Sequence, residues 1–251
     1  MRDVLAFAVD CCWWWWSCCA SVVADVLRIR ATGEGKKLIY SNSRSTAPGG
    51  HYFNIDAAEY WNTPMTESRR DSSFIQEINM KTNDYGIENT IMLVDLVDFK
   101  TGESKSLCST DKIERNKAIE EHKEWIEVAK SIGCKAIRVN LWSNNMNAEE
   151  VKNISQESLG ELLEFSNKIE MSIVIENHGG YTSDAKWLVD LIRSINHSNL
   201  GTLPDFGTRN FCVKTAPKKA GDMFGGKCID QYDKYKGVEQ QLPYAMGISA
   251  K

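Results

Sequence analysis

The chain has 251 residues, 42% of them hydrophobic and 25% charged, which is the make-up of a folded globular protein long enough for one large α/β barrel or two small domains. Its formal net charge of -4 supplies no basic field to draw it onto a phosphate backbone, so nucleic acid is not an expected partner. Of its eight cysteines, four cluster at Cys11, Cys12, Cys18 and Cys19 without zinc spacing; Cys134 and Cys212 lie beside apolar runs, so the body of the protein is expected to be reduced.

Residues 1–50 read differently from the rest. The apolar run Val4 to Val9 leads into Asp10 and then Cys-Cys-Trp-Trp-Trp-Trp-Ser-Cys-Cys, which has neither helical nor strand periodicity. One reading is a secretory signal or anchor running to about Ala24, with Val22 and Ala24 near a small-residue cleavage rule. Asp3 and Asp10 count against it, because an acid costs roughly 2.5 to 3.5 kcal/mol at a helix centre in lipid. The other reading is a segment foreign to the fold, from a wrong start or a shifted frame. A cytoplasmic location is therefore expected, export being the alternative if residues 1–24 are a signal, and a membrane is not an expected partner. Glycines and a proline from Gly33 to Gly50 bound a polar linker around Leu38-Ile39-Tyr40.

From His51 onward a strand and helix unit repeats. Phe53 to Trp61 reads as a strand; Phe74, Ile75 and Ile78 then recur at helical spacing before Gly86, a C-terminal cap. Thr90 to Val94 is an apolar strand ending at Asp95. A longer helix from about Asp111 carries Ile119, His122, Trp125, Ile126 and Ala129 on one face, which makes His122 a core histidine. Cys134 to Asn140 is the next strand, followed by a helix over about Gln156 to Lys168. Strand Met171 to Glu176, helix Ser183 to Ile195 and strand Leu200 to Leu203 come next. A helix near Cys228 to Gln240 precedes one more strand start at Ala245 to Lys251.

Such alternation means parallel βαβ units. Polar residues fall at five successive strand ends, Glu59, Asp95, Asn140, Glu176 and Asp205, which favours a (β/α) barrel over a doubly wound sheet. No glycine-rich nucleotide motif follows a strand. The sharpest junction is Ser172-Ile173-Val174-Ile175-Glu176-Asn177-His178-Gly179-Gly180, a buried strand opening onto a carboxylate, an amide, an imidazole and two glycines. Asp205 repeats the carboxylate on the following strand, and two hard oxygen donors on neighbouring strand ends suit a divalent cation.

The segments IDAAEY (Ile55 to Tyr60), NDYGI (Asn83 to Ile87), GCKAIRVN (Gly133 to Asn140), IENHGG (Ile175 to Gly180), GTLPDFG (Gly201 to Gly207) and PYAMGISAK (Pro243 to Lys251) resemble the sugar phosphate isomerase/epimerase family with a xylose isomerase-like barrel. The similarity covers residues 51–251. It implies a TIM-type α/β barrel, here incomplete, with strand one unclear between Val4 to Val9 and Lys37 to Ser41 and strand eight absent. It also implies a divalent metal, Mn²⁺, Mg²⁺, Co²⁺ or Zn²⁺, held by a Glu, an Asp, a His and a second Glu on the last four strands. Glu176 and Asp205 match the first two ligands, Ser249 stands near the place of the His, and the last Glu has no counterpart, so metal binding is expected to be weak or absent. The chemistry implied is proton transfer next to the carbonyl of a ketose or sugar phosphate, with Glu176 catalytic.

Glu59, Arg138, Asn140, His178 and Lys251 are the residues expected to face a sugar. Arg138 points inward, because Ile137 and Val139 alternate to the other side, and an acid such as Glu59 would pair with it. Activity is expected to be impaired in this chain. The alternatives are a catalytically incompetent carbohydrate-binding barrel or fragment, and a dehydratase of the same superfamily. Open sheet edges would permit a homo-oligomer.

Overall fold

The structure is a computed structural model that describes residues 56–98, 103–143, 147–217 and 226–250. The Trp/Cys segment, both versions of a first strand before residue 50, and Lys251 lie outside the described residues.

Strand and helix alternate as the sequence pattern requires: β1 Ala57–Trp61, α1 Ser72–Asp84, β2 Glu88–Leu93, α2 Lys112–Ser131, β3 Ala136–Val139, α3 Ala148–Lys168, β4 Ser172–Glu176, α4 Ala185–Ile195 and β5 Leu200–Leu203. The five strands pair in chain order, all parallel, as the wall of an incomplete α/β barrel. Each of these helices starts on a side chain that accepts a backbone N–H of its first turn: Asp71, Asp111, Asn147 and Asp184. A cap of this kind stabilises a helix by about 1 kcal/mol. After α2 the chain turns through Gly133 at φ 84°, a left-handed conformation that a side chain would strain.

Alternation along the strands divides the sheet into two faces. Ala58, Tyr60, Met92, Val94, Ile137, Val139, Ile173 and Ile175 point outward and pack beneath the helices against Trp125, Ile126, Leu159, Leu162, Leu188 and Leu191. His122 lies in this layer, as its helical position requires; its Nδ1 is 2.7 Å from the Ala118 carbonyl oxygen, and burial pushes its pKa down to about 4. The inner face carries a smaller apolar floor of Ile91, Leu93, Ala136, Val174 and Leu203, with Trp61 against it.

Three sequence expectations need correction. Helix α3 begins at Ala148, two turns before Gln156, because Asn147 caps Glu150 N–H and buries Val151 and Ser155 within an otherwise polar stretch. Cys228 does not begin a helix: Cys228–Gln231 is a strand, β7, antiparallel to β6 at Cys212–Thr215, and the helix α5 runs over Lys234–Gln241. This hairpin brings the Cα atoms of Cys212 and Cys228 to 5.8 Å and joins them in a disulfide, so the reduced state expected for the body of the protein holds for the buried Cys108 and Cys134 and not for this pair.

The strand start at Ala245 is present as an extended segment running parallel to β5. Met246 N–H donates to Thr202 O at 3.1 Å, Ser249 N–H to Pro204 O at 2.8 Å, and Phe206 N–H to Ser249 O at 3.0 Å. The segment lies so close that a Cβ at Gly201 would fall 2.6 Å from Met246 Cγ. It covers the edge of β5 that was expected to be open, while β1 has no second neighbour among the described residues. No helix of the described residues is long and apolar enough to cross a membrane.

Candidate functional site

Towards the C-terminal ends of the strands the inner face changes from apolar to charged. Arg138 of β3 lies between Leu93 and Val174 in the pairing register, and Glu176 follows Val174 one pleat further along β4. Asp205 stands two residues beyond Leu203, the partner of Glu176 on β5. Glu176 and Asp205 therefore share one face of adjacent strands, with Asp205 one pleat nearer the rim, and both are fully buried.

Asp95, just past β2, is where most of the polar contacts meet. Arg138 Nη1 donates to its Oδ1 at 2.5 Å and Nη2 to its Oδ2 at 3.4 Å; Asn140 Nδ2 donates to Oδ1 at 2.6 Å and Trp61 Nε1 to Oδ2 at 2.8 Å. Arg138 Nη1 also donates to Val94 O at 3.2 Å, and Nε stands 3.0 Å from Glu176 Oε2 in an ion pair. Burial opposes ionisation of both partners of the Asp95 pair, yet it loses. Arg138 and the Trp61 hydrogen bond hold the Asp95 carboxyl below the usual carboxylate range, and Asp95 with Glu176 holds Arg138 above its ordinary value.

The same clamp is built twice. Asn62, directly after β1, accepts Asp95 N–H through Oδ1 at 2.9 Å and donates Nδ2 to Asp95 O at 3.2 Å. Asn177, directly after β4, accepts Asp205 N–H through Oδ1 at 2.7 Å and donates Nδ2 to Asp205 O at 3.1 Å. Each buried asparagine thus fixes the backbone of the aspartate that ends the next strand. Asp205 is held further by Gly207 N–H on Oδ1 at 2.7 Å and by the Ser249 hydroxyl on Oδ2 at 3.1 Å.

The expected sugar-facing residues divide. Asn140 and Arg138 join the Asp95 network, and Arg138 takes Asp95 and Glu176 as partners, with Glu59 adding only to the field around it. Glu59 is buried in the middle of β1 opposite Ile91, in the interior rather than at the rim where a strand end would put it. His178 is at the rim, its side chain 44% exposed and its Nδ1 3.7 Å from Glu176 Oε2. Lys251 lies outside the described residues. Sequence reasoning missed the central place of Asp95 and both asparagine clamps; the signal available was an Asn directly after a strand, in EYWN and again in VIEN.

A divalent ion, which the resemblance implies, does not fit the donors as they stand. Arg138 is ion-paired with Glu176, a serine hydroxyl occupies the place near which a histidine was expected, and Asp205 receives two protein donors. Among the described residues no group of three or more His, Cys, Asp or Glu side chains is placed to hold a metal. Hard cations of the Mg²⁺ type need about six oxygen ligands, most of which water would have to supply here.

Known proteins place this architecture. A family model described as a xylose isomerase-like TIM barrel matches residues 52–223. A xylose isomerase domain protein from Planctomyces limnophilus is 17% identical with a TM-score of 0.57, the match covering 80% of this chain and 67% of that one. A 3-keto-D-glucoside 4-epimerase from E. coli is 10% identical with a TM-score of 0.59, over 82% and 73% of the two chains. A xylose isomerase-like TIM barrel protein from Mycobacterium smegmatis, in complex with magnesium, is 14% identical with a TM-score of 0.55, over 81% and 63%. No curated protein sequence matches the chain. The family model spans most of the chain and the sheet has the parallel strand order of that fold, so the protein belongs to the xylose isomerase-like TIM barrel family.

Proposed function

We propose that this chain is a sugar isomerase or epimerase that moves a proton on the carbon next to the carbonyl of a ketose, with Glu176 as the base. The observation that carries this is the pair at the end of β4. Glu176 is buried on the inner face, and His178, half exposed at the rim, brings its Nδ1 to 3.7 Å from the Glu176 carboxylate. The C-terminal end of the strands is where barrels of this type bind substrates. Glu176 takes the proton from the C–H bond, the electron pair moves into the enediolate, and its oxygen receives a proton from His178. When Glu176 returns its proton to the neighbouring carbon and the hydroxyl on the first carbon gives its proton to His178 to become the carbonyl, the sugar is isomerised. When a solvent proton reaches the other side of the first carbon and the newly formed hydroxyl gives its proton back to His178, the sugar is epimerised.

The site's charges favour an uncharged ketose over a sugar phosphate. Among the described residues, Glu59, Asp95, Glu176 and Asp205 face the interior with the guanidinium of Arg138, whose terminal nitrogens already serve Asp95 and Val94 and whose Nε is ion-paired with Glu176. The glycine turn of IENHGG offers no anion cradle in its place, since His178 N–H donates to Thr182 Oγ1 and Gly179 N–H to Ser183 Oγ, each at 3.0 Å.

A binding-only barrel is the second reading, favoured by the hold of Arg138 on Glu176. Incubation with a panel of ketoses in D₂O, with and without Mn²⁺, decides between them. Deuterium entering next to the carbonyl, reduced by about 10²-fold or more in Glu176→Gln, supports the enzyme. Ketose binding with no exchange supports the binding protein, and loss of water from the sugar identifies a dehydratase.

A further inference from the structure

After Trp125, Arg138 is the largest fully buried side chain of the described residues. A guanidinium is enclosed at such a depth only where charges of opposite sign compensate its lost hydration. It is supplied by β3, between the two strands that lead to its partners, and it reaches Asp95 on one side and Glu176 on the other. Its planar fork is spent on Asp95, while Nε is the atom nearest Glu176, 3.0 Å from Oε2 in an ion pair. Asn140 and Trp61 hold Asp95 from two further directions, so the network has little freedom to turn away from Arg138.

We propose that Arg138 is the resident cation of this site, a positioning residue that balances the charge of Asp95 and Glu176 as a divalent ion would and keeps such an ion off Glu176. A dication approaching Glu176 meets a fixed positive charge already 3.0 Å from Oε2, in an interior that screens repulsion poorly. To bind, it must displace a guanidinium that has no water to retreat into. Among the obstacles to a metal at these donors, this is the one that acts on Glu176, and a single substitution removes it. This goes beyond the proposed sugar chemistry, and metal binding can be read without turnover, so either idea can fail while the other stands.

Titration calorimetry of the whole chain with MnCl₂ tests it, using wild type, Arg138→Met, Arg138→Gln and Arg138→Met combined with Glu176→Gln. Wild type is expected to bind in the millimolar range or not at all, and Arg138→Met to bind about tenfold more tightly or better, one decade being a small change in electrostatic energy for a buried site. The added Glu176→Gln change should return affinity to the wild-type range. Structural damage alone would loosen binding, so the sign separates the two causes. If Arg138→Met does not fold, Arg138→Gln decides, because its amide can still donate to Asp95 but carries no charge to repel Mn²⁺, and it should also bind the ion more tightly than wild type. Micromolar binding by wild type, or no gain in any folded Arg138 variant, overturns the proposal.

Discussion

Two residues of one strand meet opposite surroundings in this protein: Ile137 lies in hydrocarbon beneath the helices, and its neighbour Arg138 in a web of carboxylates and amides. The outer face of the sheet is stabilised by burial, where each side chain contributes roughly in proportion to its own area. On the inner face the groups are tolerated only together, because each charge or amide is acceptable in so far as another answers it. The first kind of stability adds up residue by residue; the second does not. That difference separates the part of the molecule that makes the fold from the part that makes the site.

The largest expected effect breaks the inner face at its centre. Arg138→Met should cost about 3 to 5 kcal/mol in urea denaturation, since it leaves Asp95 and Glu176 buried without their guanidinium. Adding Asp95→Asn should recover about 1 kcal/mol or more, because an amide keeps an acceptor for Trp61 or Asn140 and removes one stranded charge. A double variant as damaged as the sum of its single changes would mean that the inner face behaves like ordinary core.

Acid separates the faces next. His122, in the outer layer, titrates at about 4 when folded against an ordinary value of 6.5, because burial disfavours its charged form. Between those values the unfolded chain takes up a proton that the folded chain refuses, so stability falls as pH falls, by roughly 3 kcal/mol across the window. Asp95 is displaced below its ordinary value of 3.8, so its share is present above that value and is lost only in stronger acid. His122→Leu should abolish the loss between pH 6.5 and 4 in thermal melts and leave the later one. A smaller effect sharpens the additive side: Ile78→Val in α1 and Ile192→Val in α4, at opposite ends of the outer layer, should cost about 1 kcal/mol each and about 2 together.

The outer face is also what made the fold legible in the sequence. Residues such as Met92, Ile137 and Ile173 recur at strand spacing, and Ile119, Trp125 and Ile126 at helical spacing, because one side of each element must be apolar. The site was legible as a row of polar strand ends. Its wiring was not, since which acid answers Arg138 depends on how three strands are staggered, and that is a matter of pairing rather than of composition. Nor was the Cys212–Cys228 hairpin visible. Lys214, Thr215, Asp230 and Gln231 are exposed on it, so it lacks the apolar alternation that marks a strand packed on a core.

The mildest change tests how Asp205 is held. Ser249→Ala removes a hydroxyl donor from Oδ2 and should cost about 1 kcal/mol, the net worth of one hydrogen bond in water. The backbone bonds of residue 249 to Pro204 and Phe206 do not involve its side chain, so the segment should stay beside β5. Asn177 fixes the backbone of Asp205 from the other side through two bonds, and its loss strands a buried N–H as well as a carbonyl. Asn177→Ala should therefore cost more than Ser249→Ala, by about 1 to 2 kcal/mol in the same denaturation. If the order is reversed, Asp205 is positioned by its late neighbour in the chain and not by the clamp it shares in design with Asp95, and the two halves of the inner face are built on different principles.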